Sequence, residues 1–213
     1  MRMLFLSAVL FFVAGAAQAA TLNVVQGQLM GASGVDVGGT FYDVQFLDGT
    51  CIDLFNGCDD TSDFTFQTVA SATLAGQALL DQVLVNSVAF GQFDDNPSFT
   101  NGCELDGGVC LSFVPYLVTL SCASFQPCPS DLATSITARN YSPSASQLYG
   151  PDIAGVPADF SESRPISTLD FTSYTQRNWA VFSLTPVPEP TTALLLGLGL
   201  TGLAGKGRRR NRS

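Results

Sequence analysis

Six cysteines stand as three local pairs, Cys51/Cys58, Cys103/Cys110 and Cys122/Cys128, with six, six and five residues between partners. An even set of thiols in an oxidising compartment points to disulfides. The short spacings favour 51–58, 103–110 and 122–128, each contributing about 2–3 kcal/mol by loop-closure entropy. Zinc is the poorer reading, because there is no C-x2-C pair and no histidine, so four thiolates at unusual spacing would have to make the site. The absence of histidine also removes Ser-His-Asp and Cys-His nucleophile systems and H-E-x-x-H metalloproteases. Neither a G-x-S-x-G elbow nor a phosphate loop is present. Carboxylates remain, and two short loops concentrate them: Asp59, Asp60 and Asp63 in one, Asp94 and Asp95 beside Asn96 in the other. Ca²⁺ takes six to eight oxygen ligands, but neither loop follows the D-x-[DN]-x-[DN]-G spacing. Solvated turns are the main reading, with Ca²⁺ binding as the alternative and no resident cofactor expected. A glycosidase-type pair of carboxylates is the enzymatic alternative. Trp179 and Tyr116 have rings that could stack on a sugar, though Trp179, within Asn178-Trp179-Ala180-Val181-Phe182-Ser183-Leu184, reads as core.

The elements that would hold these residues lie between two apolar ends. Residues 1–19 read as a secretory signal peptide. Arg2 supplies the charge, Leu4 to Val13 the apolar stretch, and Ala17-Gln18-Ala19 the small-x-small pattern that places cleavage between Ala19 and Ala20. Sec-type export follows from that reading. Residues 20–185 then carry 17 acidic residues against three basic ones, Arg139, Arg164 and Arg177, a net charge of −14. Such a charge keeps an exported domain soluble and disfavours nucleic acid and anionic lipid as partners. About 165 residues suit one domain with a proper core.

Along this segment, residues 22–30 and 41–47 alternate as half-buried strands, with the Gly/Ser-rich stretch 31–39 read as the turn between them. Asp48-Gly49 predicts a tight turn, with 50–55 as a hairpin partner. A further short strand is expected at 64–69. Residues 68–86 are rich in Ala, Leu and Gln, with Ala75, Leu79 and Val83 at helical spacing, and predict one helix that Gly76 weakens. Strands are expected over 109–121, where Pro115 calls for an edge or a bulge, and over 132–141. The Ser/Pro/Gly-rich stretch 143–165 reads as irregular, and 169–174 with 178–184 as a closing strand pair. Short strands, many turn signals and one helix predict a mainly β domain, a disulfide-stapled β-sandwich.

Residues 186–213 differ in kind. Pro186-Val187-Pro188-Glu189-Pro190 is stiff and helix-breaking, residues 191–205 are apolar and uncharged, and Lys206, Arg208, Arg209, Arg210 and Arg212 follow. As a helix the apolar run spans roughly 22 Å, short for a membrane anchor but able to cross if its basic flank snorkels. The positive-inside rule keeps the basic cluster cytoplasmic and everything before Pro186 on the far side.

The ordered combination of Val187-Pro188-Glu189-Pro190, a Leu/Gly run and an Arg cluster resembles the PEP-CTERM sorting signal of Gram-negative bacteria. The resemblance covers the last 28 residues. It implies recognition and cleavage by an exosortase-like membrane enzyme at Pro188, Glu189 and Pro190, and a link to extracellular polysaccharide. It assigns nothing to residues 20–185. The expectation is therefore a non-enzymatic protein of the cell surface, extracellular matrix or biofilm, anchored transiently in the inner membrane. A glycan- or Ca²⁺-dependent adhesion module is the first alternative and a secreted carboxylate-dependent hydrolase the second.

Overall fold

The computed structural model describes residues 19–104, 108–120, 131–155 and 170–186. The chain divides into two units, Met1–Ser183 and Leu184–Ser213. Among the described residues, seven strands form one sheet in the order β1 (Thr21–Val25), β2 (Gln28–Val37), β3 (Thr40–Leu47), β9 (Arg177–Leu184), β6 (Val109–Leu120), β7 (Asp131–Tyr141), β8 (Ile153–Gly155). Two short strands, β4 (Asn86–Ser87) and β5 (Gly91–Gln92), pair apart from it. The helices described are α1 (Cys51–Leu54), α2 (Val69–Gln82) and α3 (Pro143–Tyr149).

The sheet consists of two antiparallel meanders, β1-β2-β3 and β6-β7-β8, joined through β9, which runs parallel to β6. The last strand in sequence is thus a central one. In its first half Asn178, Trp179 and Ala180 are all buried. Side chains alternate across a pleat, and neighbouring residues accordingly enter different cores. Val114, Ile136, Ala138, Ala180 and Phe182 join the core that takes the buried face of α2. Leu111, Phe113, Ala133 and Trp179 pack instead with Phe55, Phe64, Phe171 and the Cys51–Cys58 corner.

The long helix begins at a cap visible in the sequence: the Thr68 hydroxyl accepts from the Ser71 N–H at 3.1 Å. Its buried face is small, made of Ala72, Ala75, Gly76, Ala78 and Leu79. Gly76 lets the sheet come close, since a Cβ there would lie 3.1 Å from both Ile136 Cγ2 and Ala154 Cβ. The helix touches β2, β6, β7 and β8, so the sheet curls around it.

The mainly β class with one long helix therefore forms as expected, with its strands in one curled sheet rather than two facing ones. Several local expectations are corrected. Residues 31–37 are not a turn but the second half of β2, and the reversal is confined to Gly38-Gly39, both at positive φ. Gly31, at φ 153°, sits where β2 meets β3 so closely that a Cβ would run into the Val44 carbonyl oxygen. Residues 51–54 are helical rather than a hairpin strand, because Thr50 caps Asp53 and Cys51 is tied back to Cys58. The helix expected over 68–86 ends at Gln82. In the stretch read as irregular, Ser142 caps Ala145 and Pro143 takes the first turn of α3. Residues 171–173 form a 3-10 turn capped by Asp170, so β9 closes without the expected partner strand. Pro115 does mark a bulge: the β6–β7 register shifts between Pro115 and Leu117.

Candidate functional site

Two of the three expected disulfides, Cys51–Cys58 and Cys103–Cys110, are formed, with Cα atoms 5.7 and 5.5 Å apart. All four cysteines are fully buried. Cys122 and Cys128 lie outside the described residues, as do the signal peptide to residue 18, the sorting residues Pro188, Glu189 and Pro190, the apolar run, and Lys206, Arg208, Arg209, Arg210 and Arg212.

The first acidic loop has structural work for its carboxylates. Asp60 accepts from the Ser62 N–H at 2.8 Å, and Asp63 accepts from the backbone N–H of Asp59 and Asp60 and from the Asn56 amide at 3.1–3.2 Å. Together they cap a 3-10 turn at both reciprocal positions. These backbone donors, Ser62 for Asp60 and Asp60 for Asp63, hold both carboxyls below the ordinary carboxylate range. In the second loop Asp94 and Asp95 diverge. Asp95 lines an open polar cleft of about 430 Å³ with Asn96, Ser98, Ser142 and Ser144. Asp94 instead lies beside Asp152, which accepts the Tyr141 N–H at 2.8 Å. Burial, then the Asp94 carboxyl, pushes Asp152 up to about 6 against the downward pull of that N–H. Among the described residues no three carboxylate or thiolate groups gather as a metal site.

A third carboxylate cluster escaped the sequence reading. Asp48 feels the charges of both Glu104 and Asp170, and its carboxyl is raised by burial first and by those two charges next. Its Oδ1 is buried without a partner. Trp179 is core, as read: it is fully buried, stacked on Phe171 with centroids 4.7 Å apart, and its indole N–H donates to the Gly49 carbonyl at 3.1 Å. Tyr116 is the extra residue of the β6 bulge and packs against the helix-side core.

The residues that sequence reasoning did not connect are basic and aromatic. Leu111 on β6 pairs with Arg139 on β7 and with Arg177 on β9. Registered partners present side chains to the same face, so the two arginines flank Leu111 in one row. Val109 pairs with Tyr141 one step along. These residues and Tyr149 line a groove of about 430 Å³. It opens where the Trp179 layer ends. Tyr149 stacks on Tyr141 with centroids 5.8 Å apart and planes at 21°, and the Arg177 guanidinium lies over the Tyr174 ring at 5.2 Å. The one available signal was scarcity: residues 20–185 hold three basic residues, and this groove takes two of them.

Residues 186–210 match the family model described as the PEP-CTERM protein-sorting motif. No curated protein and no solved structure matches the chain.

Proposed function

We propose that this chain, an exported protein bearing a PEP-CTERM sorting motif, is a non-enzymatic component of the cell surface or extracellular matrix. Export removes the signal peptide before Ala20. The apolar run holds the chain briefly in the inner membrane, and an exosortase-like enzyme cuts near Pro188-Glu189-Pro190 and passes residues 20–185 outward. The match over residues 186–210 carries this reading. Two buried disulfides support an oxidising destination. The lack of histidine removes Ser-His-Asp and Cys-His nucleophile systems, which supports a non-enzymatic role.

The test is the intact mass of the native protein from membrane, envelope and medium fractions of its own host, with and without reduction. A mass running from Ala20 to the neighbourhood of Pro188-Glu189-Pro190, gaining one hydrogen for each of six cysteines, is expected. A membrane species retaining Arg208 to Ser213 as its sole form would overturn the processing step and leave a tethered envelope protein.

A further inference from the structure

We propose that the groove between Arg139 and Arg177 binds a carboxylated polysaccharide, with uronate carboxylates taken by the guanidiniums and a sugar ring laid on Tyr149. Four observations converge. The first is the placement of charge. In a segment with 17 acidic and three basic residues, two arginines separated by 38 positions in sequence are set in one row, either side of Leu111. Strands lie about 4.8 Å apart, so their Cα atoms are about 10 Å apart. Among the described residues neither guanidinium is held by a carboxylate. Two like charges left unneutralised and adjacent cost free energy that an anion between them would recover.

The second is donor geometry. A guanidinium presents a planar fork that matches a carboxylate with two parallel hydrogen bonds, and Arg177 is already oriented by the Tyr174 ring. The third is the aromatic platform. Tyr149 is 67% exposed although backed by Tyr141, and Ile153, registered with Arg139, is 53% exposed. A ring fixed by stacking on its inner side and bare on its outer side suits the flat C–H face of a pyranose. The fourth is exclusion. The surrounding net charge of −14 repels densely charged polyanions such as nucleic acid. The groove is the local exception: its lining holds Arg139 and Arg177 and no acidic residue, so a sugar carboxylate can approach there. The groove volume of about 430 Å³ lies within the range of small-ligand clefts.

This goes beyond the sorting reading and does not depend on it, because binding is measured on purified protein whatever the state of the tail. Protein isolated from its own host is titrated calorimetrically at 0.15 M salt with polygalacturonate oligomers, a neutral glucan and poly-glutamate. Polygalacturonate is expected to bind, with affinity falling about tenfold or more in R139Q and in R177Q, since each loses a charged hydrogen-bonding group. R177K is expected between R177Q and the unsubstituted protein, keeping charge but losing the fork. Tyr149→Ala is expected to weaken polygalacturonate binding while the protein still melts cooperatively and only a few degrees lower, since a single ring-to-ring contact with Tyr141 is lost. No binding of polygalacturonate, equal binding of the neutral glucan, or unchanged affinity in an R139Q/R177Q double variant that melts normally would each overturn the assignment. Poly-glutamate binding as tightly as polygalacturonate would overturn it in favour of an acidic peptide.

Discussion

Replacing Asp152 by Asn should make the protein more stable at neutral pH and no more stable in acid. Asp152 closes the corner between α3 and β8, accepting the Tyr141 N–H at 2.8 Å with the Asp94 carboxyl beside it. Its pKa is raised from 3.8 to about 6, chiefly by burial. Below about pH 3.8 the folded and unfolded chains both hold this proton. Between 3.8 and 6 the unfolded chain releases it while the folded one keeps it, so stability falls as pH rises and levels off above about 6. The full shift corresponds to about 3 kcal/mol. Asp152 is only half-buried, and solvent screening reduces this to about 1 kcal/mol. An Asn side chain keeps the acceptor for Tyr141 and offers an N–H to the Asp94 carboxylate, without a charge to desolvate. D152N should therefore melt about 2–4 °C higher than the unsubstituted protein at pH 7.5 and level with it at pH 4. The assay is thermal unfolding across pH 4–8, followed by near-UV circular dichroism of Trp179, the single tryptophan. A D152N protein that melts lower at pH 7.5, or a difference equal at both ends of the range, would refute the reasoning.

Two further perturbations test the packing. Replacing Cys51 and Cys58 together by Ser should cost about 2.5 kcal/mol from the short closed loop. It should also loosen the Trp179 cluster, seen as a lower melting temperature and a weaker near-UV signal. Gly76→Leu should destabilise by at least about 1–3 kcal/mol, because the new side chain meets Ile136 and Ala154 at the closest approach of α2 to the sheet. Denaturant unfolding measures it, and a variant as stable as the parent would show that the helix can move away.

Much of this protein is written locally. The Thr68 cap and the spacing of Ala75, Leu79 and Val83 announce α2, and the alternation around Val44 and Phe46 announces β3. Cysteine partners seven positions apart pair because nothing nearer competes. The sorting motif is legible because its order along the chain is the signal. Each of these is a relation between neighbours in sequence.

The errors and omissions share the opposite cause. Gly31 to Val37 reads as a turn because glycine loosens an isolated chain, yet pairing with β3 along its length, and with β1 as far as Ser33, holds it extended. Residues 50–55 alternate enough for a strand, but a cap and a disulfide wind four of them into helix. Arg139 and Arg177 look like stray charges until β9 inserts beside β6 and brings them to either side of Leu111. Asp94 and Asp152, 58 positions apart, meet only when the β5 loop packs on the α3–β8 corner. The sequence by itself determined most of the elements, two local disulfides and the sorting signal, because propensities, caps and short loops act over a few residues. Tertiary structure alone decided which charges meet, because strand order and register are set by burying both faces of β9, a collective gain that no single stretch encodes.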